Sequence, residues 1–298
     1  MTDLPAAPGP RGARDGVIPP PEGPPPPPRR SDEWRQAAVP TAISFAVAFA
    51  VVAAVAMVVV TSPDWPRVER QFFSREAMVA SFPRVLRGFW INMQVWLALM
   101  VAIGLWALVL AVIRALRGPW FTPLRLMVVI YIDIFRGLPA LLMVLLFGFG
   151  IPALNLPGLP SSGLFWASVA MVLCYSAYVC EIYRSGIEAV HEGQALAARA
   201  LGLTEGQAML YAILPQALRN ALPSLMNIVV ALQKDVALLS VIGVRDAVRE
   251  AQIYTAATFN YSSLLVAAFL FLLATIPMAR LADHVSRADR ARRLGRGA

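Results

Sequence analysis

Six times along this chain an apolar run reaches the length a helix needs to cross a bilayer. A hydrocarbon core of ~30 Å takes ~20 helical residues. The runs lie at 41–60, 89–113, 126–150, 163–180, 221–244 and 263–281. Composition agrees: 58% of residues are hydrophobic and 15% are charged, against about half and a quarter in a soluble domain. So much apolar surface cannot hide inside one water-soluble core. The expected fold class is an all-α integral membrane protein with six transmembrane helices. The net charge of +8 would point to nucleic acid in a soluble protein. Here arginines flanking the spans give the same arithmetic, and a lipid bilayer, with no nucleic acid, is the expected partner.

The arginines also set the orientation. Arg287, Arg290, Arg292, Arg293 and Arg296 follow the last run, and Arg114, Arg117 and Arg125 lie between the second and third. Both segments should be cytoplasmic. The loop 151–162 carries no charge and suits the outside. These placements agree only if 221–244 crosses the membrane despite Gln233, Lys234 and Asp235, which puts both termini inside. The outer segment 61–88 is the exception, with Arg67, Arg70, Arg75, Arg84 and Arg87. Its apolar Val68, Phe72, Val79 and Phe82 predict helices lying at the interface.

Residues 1–40 hold 12 of the 24 prolines and read as a disordered cytoplasmic tail. Residues 41–60 are then an N-terminal span, 89–283 the main transmembrane domain, and 284–298 a basic cytoplasmic tail. The rare residues exclude several chemistries. Lys234 is the one lysine, and Asp235 follows it, so no phosphate-binding G-x-x-x-x-G-K-[ST] loop can form. His191-Glu192 starts a zinc-binding H-E-x-x-H pattern that Ala195 ends. Cys174 and Cys180 fit packing better than a disulfide framework. No cofactor, metal or catalytic site is expected.

A charge at mid-bilayer costs ~2.5–3.5 kcal/mol, so each one calls for a partner or a role. Asp133 and Arg136 lie three apart in the third run, where they share a helix face and can pair. Gly137-Leu138-Pro139 follows, and Pro139 should break the helix. A charged pair beside a broken helix is a sign of a translocation pathway or its gate. Lys234 and Asp235 are adjacent, do not face each other on a helix, and so need separate partners. Gating, pathway lining and pairing across a subunit interface stay open for them.

The segment 181–219 is too long for a simple connector and too regular for disorder. Thr204 and Gln207 form a capping-box pattern. Gln194 to Leu201 is helical in composition and ends at Gly202, a natural helix-terminating glycine. Pro215 should end the second helix near Leu214. The expectation is a glycine-turned helical hairpin at the membrane surface, with small Ala197 and Ala198 allowing close approach.

At these residues the sequence resembles permease subunits of bacterial ATP-binding-cassette importers, most of all the polar amino-acid uptake family. The family signature, E-A-A, three residues, G, nine residues, I-x-L-P, falls on Leu196-Ala197-Ala198, Gly202 and Ala212-Ile213-Leu214-Pro215. Gly193-Gln194 and Pro215-Gln216-Ala217 match additions made by the amino-acid branch. So do Phe135-Arg136-Gly137-Leu138-Pro139 and Lys234-Asp235. Leu196 stands where the signature has glutamate, and Ala212 where it has isoleucine. The resemblance covers 86–285 and implies a five-helix core preceded by one added helix. It implies that loop 188–215, within 181–215, couples to a separate ATPase dimer. A second permease, identical or homologous, and an external amino-acid-binding protein would complete an importer in the bacterial plasma membrane. Permeases for an opine, cystine or another small zwitterion are the alternatives within transport. Against a membrane enzyme, no acid pair, metal cluster or nucleophile–base spacing appears in a loop, and an uncoupled channel would have no use for the docking hairpin.

Overall fold

The computed structural model describes residues 30–116 and 118–294, with side chains described for 43–116 and 118–287. The chain divides into two units, 1–65 and 66–298. The first holds α1 (Arg30–Val60). Its window Ile43–Val60 has a mean hydropathy of 2.9 and no buried residue, as a helix bathed in lipid would. α1 starts at Arg30, so 30–40 is helical and not disordered. The proline run stops at Pro28, and Glu33, Gln36, Ala37 and Ala38 are good helix formers. Residues 1–29 of the proline-rich segment and 295–298 of the basic tail lie outside the described residues.

The second unit begins within α2 (Trp65–Phe72). Ser74 then caps α3 (Arg75–Ala115), its Oγ accepting from the Ala77 N–H at 3.3 Å. α3 contains the expected second span but starts fourteen residues before Phe89 (89 − 75). Residues 75–88 therefore run into that span as one continuous helix rather than forming a helix of their own, and Pro83 does not interrupt it.

A 3₁₀ turn (Pro119–Phe121) leads to α4 (Thr122–Gly137). α5 (Ala140–Leu145) follows at 100° to it and runs through a π turn (Leu146–Gly150) into the single turn α6 (Ile151–Ala153). The third run is thus a broken span. Among the described residues five helices are long and apolar enough to cross a membrane, or six with this bent pair counted as one span.

α7 (Gly163–Glu188) starts at the Ser162 cap and continues past Cys180, so 181–188 belongs to the helix and not to a connector. α8 (Glu192–Ala200), α9 (Glu205–Gln207), a π turn (Ala208–Ile213), α10 (Leu214–Asp235) and a 3₁₀ stretch (Val236–Ile242) follow. Pro215 does not end a helix: Glu205–Ile242 is one helical segment. Proline lacks an N–H and its ring collides with the carbonyl four residues back in an α-helix. The wider π turn before Pro215 takes up that conflict. α11 (Ala247–Thr258) and α12 (Ser262–Leu294) are the last described elements.

α7 is the central helix. Half of its apolar window is buried, more than in any other span. It packs on α3, α4, α5 and α10, while α12 covers α3, α10 and α11. Ala167, Ala170, Met171 and Cys174 meet Leu99, Ile103, Val144 and Leu232 in the main core. Small residues carry these contacts because helix association in lipid rests on close packing rather than on expelled water. At Gly186 a Cβ would lie 2.6 Å from the Ala217 carbonyl oxygen, so glycine sets the α7–α10 approach. Cys174 and Cys180 are buried free thiols, packing residues as expected.

Candidate functional site

The hairpin between α7 and α10 is built from local bonds. His191 Nδ1 accepts from the Gly193 N–H at 3.0 Å and starts α8. Gly202 ends it with φ +86°. The Gly202 N–H donates to the Arg199 carbonyl at 2.9 Å, and the Leu203 N–H to the Ala198 carbonyl at 3.2 Å. That bond pair is a Schellman termination, which requires the left-handed backbone that glycine adopts freely. Thr204 and Gln207 form the expected capping box. Gln216 Nε2 donates to Gln194 Oε1 at 3.3 Å, tying α8 to the start of α10. Of the small pair, Ala198 is buried in the hairpin and Ala197 is exposed. Leu214 is half-buried and Pro215 exposed. Leu196 and Leu201 stand 65% and 85% exposed on this hairpin.

At the broken span, α4 stops at Gly137 and Pro139 caps α5. Arg136 does not pair with Asp133. Its guanidinium carbon sits 5.6 Å from the Tyr178 ring centroid, and its Nη1 lies 4.0 Å from Glu181 Oε2. The Tyr178 hydroxyl donates to the Arg136 carbonyl at 3.2 Å. Asp133 is exposed and has no partner among the described residues. The physical reason is reach. Arg136 occupies the last turn of α4, where the long side chain crosses to α7, while the short carboxylate of Asp133 stays on its own helix face. Glu181 is the hub that sequence reasoning missed. It pairs with Arg114, and with Arg184 at 2.9 Å, besides facing Arg136. Its signal was available: a carboxylate directly after an apolar run, three residues before Arg184.

α10 ends at Asp235 and continues as a 3₁₀ stretch, so the helix changes pitch at the expected charges. Asp235 accepts a hydrogen bond from the Tyr175 hydroxyl. Lys234 is exposed, without a partner among the described residues. Gln233 is fully buried, and its Oε1 accepts from Thr275 Oγ1 at 2.6 Å. The two charged constellations do not touch. They join through α7, where Tyr175 and Tyr178 lie one turn apart with ring centroids 6.3 Å from each other.

A glycine-turned hairpin with exposed leucines, a span broken beside an arginine and a pitch change at a Lys-Asp pair now stand together in one helical unit. Residues 107–290 match the model of the binding-protein-dependent transport system inner membrane component family. This chain belongs to that family. The arginine transport system permease protein ArtQ of Bacillus subtilis is 32% identical over 71% of this chain and 94% of its own. The glutamate/aspartate import permease protein GltK of Escherichia coli O157:H7 is 31% identical over 72% and 97%. A crystal structure of an amino acid ABC transporter with histidines is similar in fold, with a TM-score of 0.65 and 32% identity over 72% of this chain and 98% of that one.

The permease carries a second polar centre that the sequence did not reveal. Asp246 caps α11, its Oδ1 accepting from the Arg249 N–H at 2.8 Å and its Oδ2 from Asn92 Nδ2 at 3.0 Å. Asn92 Oδ1 in turn accepts from the Ala247 N–H at 3.1 Å. Burial pushes the Asp246 carboxyl above its ordinary range, while the bonds from Arg249 and Asn92 pull the other way. Gly88 makes the arrangement possible, since a Cβ there would fall 2.4 Å from the Asp246 carbonyl carbon and 2.6 Å from the Ala247 nitrogen. These partners lie far apart in sequence, and no local periodicity links them.

Proposed function

We propose that this chain is the membrane-spanning subunit of an ATP-driven importer that carries a polar amino acid across the bacterial plasma membrane. The hairpin between α7 and α10 is the observation that carries the reading. Its turn is fixed by backbone bonds, and it presents Leu196 and Leu201 outward. A rigid knob with exposed leucines suits the cleft of a separate ATPase subunit, two copies of which would serve two permeases. The chain has no phosphate-binding loop, so hydrolysis belongs to that partner. The relatives ArtQ and GltK, named for arginine and for glutamate and aspartate, support a polar amino acid delivered by an external binding protein.

On this reading Arg136, beside the break at Gly137 and Pro139, and the exposed Lys234 with Asp235 and Asp133 form the pathway or its gate. A zwitterion leaving water needs polar groups that replace hydration, and an arginine can hold a carboxylate with two parallel hydrogen bonds. The break between α4 and α5 frees backbone groups for the same purpose. Both termini face the cytoplasm, following the arginine distribution. The test is ATP hydrolysis by the complex with its ATPase, second permease and binding protein in proteoliposomes, against a panel of amino acids. Stimulation by one polar amino acid, lost when loop 188–215 is altered, is the expected result. Equal hydrolysis with every amino acid and with none would overturn the reading.

A further inference from the structure

The five arginines of segment 61–88 stand at the end of the membrane where arginines are disfavoured, and the transport reading gives them no work. Two of them line a cavity. Arg84, Arg87, Gly88 and Ile91 of α3 face Arg245 and Glu250 across a space of about 470 Å³. Gly88 holds its floor, because only a residue without Cβ lets the 246–247 backbone come so close. Glu250, almost buried, is engaged by Arg245, Nε to Oε1 at 2.7 Å. Arg84 and Arg87 have no acidic partner among the described residues, so the cavity carries three guanidinium groups against one carboxylate.

The height of this cavity identifies what fills it. From Arg87 to Arg114 along α3 is twenty-seven residues (114 − 87), about 40 Å at ~1.5 Å per residue. That matches the ~40–45 Å thickness of a bilayer with its headgroup regions included. Arg114 marks one headgroup layer, and Arg84 with Arg87 marks the other. Trp90 lies one turn deeper than Arg87, on another face of α3, and is 64% exposed. A tryptophan at this depth with apolar neighbours is the signature of a membrane interface.

We infer that this cavity binds the phosphate of a phospholipid headgroup in the leaflet at the α2 end of the membrane. Arg87 and Arg84 are its donors. The fork of a guanidinium matches phosphate oxygens with paired hydrogen bonds. The inference needs α3 to span the bilayer but does not depend on the substrate or on coupling to an ATPase. Either reading can fail while the other stands.

Native mass spectrometry of the full chain, delipidated in detergent and titrated with phosphatidylglycerol, tests it. The wild type should retain one tightly held lipid, and Arg84→Gln with Arg87→Gln should bind it at least tenfold more weakly. Arg67→Gln with Arg70→Gln, the same charge change outside the cavity, should retain it, and Arg87→Gln alone should give an intermediate loss. Monodisperse size exclusion reports folding of each variant. If the double variant does not fold, the single variant decides. Equal retention by all folded variants would overturn the inference. So would inorganic phosphate displacing the lipid at millimolar concentration, which would mark a free-anion site. Unchanged lipid retention with lost binding-protein docking would instead assign the arginines to that protein's acidic surface.

Discussion

Gly202 offers the sharpest test of the hairpin, because the cost of replacing it is purely conformational. Its φ is +86°, yet a Cβ at this position would meet nothing within 4 Å. A side chain there collides with no neighbour and is penalised only by the left-handed backbone, ~1–2 kcal/mol for an ordinary L-residue. That lowers the closed turn about 5- to 30-fold relative to open forms. Two amides report the change directly, since Gly202 donates to Arg199 and Leu203 to Ala198. Gly202→Ala should speed hydrogen exchange at both by that factor and weaken ATPase stimulation, with normal membrane abundance. Gly202→Asn should lose less, because asparagine tolerates the left-handed region, and Gly202→Val should lose more. The expected order is therefore Gly, Asn, Ala, Val in both readouts. Unchanged exchange in the alanine variant would refute the backbone argument. Fast exchange with full ATPase coupling would separate the turn from the function assigned to it.

Further outcomes follow from particular contacts. Gly88→Ala should lower thermal stability in detergent, by ~1–3 kcal/mol, since its Cβ meets backbone and not a movable side chain. Gly104→Ala on the same helix, where a Cβ meets nothing, should be neutral or stabilising by roughly 0.5–1 kcal/mol; a loss as large as at Gly88 would contradict this. A double-mutant cycle on transport should show coupling between Arg136 and Glu181 and almost none between Arg136 and Asp133, given where Arg136 points; the reverse pattern would restore the intrahelical pair. In a variant with Cys174 and Cys180 replaced, an impermeant thiol reagent outside whole cells should label a cysteine placed at 157 but not at 20 or 292. Label at 292 would mean that α10 does not cross the membrane.

What the sequence made legible were features written in neighbouring residues. Thr204 and Gln207, the terminating Gly202 and the break at Gly137–Pro139 each act within a few residues, so their patterns survive translation into structure intact. The misreadings arose where a local rule met a distant compensation. Pro215 looks like a stop because an α-helix needs its N–H, but a π turn absorbs the conflict. Phe89 looks like the start of a span because hydropathy rises there. The helix itself begins at the Ser74 cap, which also receives support from afar, with the Ser74 N–H donating to Ser262 Oγ at 3.0 Å. Asp133 and Arg136 look like a pair because spacing alone cannot show that a carboxylate on another helix lies within reach.

The same contrast explains the division of labour on α7. Glu181, Tyr178 and Tyr175 lie at successive turns of one helix, and between them they hold residues beside the two irregular stretches, the α4–α5 break and the pitch change after α10. Glu181 and Tyr178 hold Arg136 at the end of α4, and Tyr175 holds Asp235 at the end of α10. A helix break leaves polar backbone and charge that lipid will not satisfy, so a neighbour must. α7 is half buried and continuous through its whole length, so it supports both irregular stretches at fixed spacing. Motion of α10 against α7, driven from the hairpin at its own N-terminal end, would then act first on the Tyr175–Asp235 bond and reach Arg136 only through the Tyr175–Tyr178 step. Tyr175→Phe removes the donor while keeping the ring. It should therefore weaken the link between hydrolysis and transport more than it weakens folding, and a variant that transports normally per ATP would rule this route out.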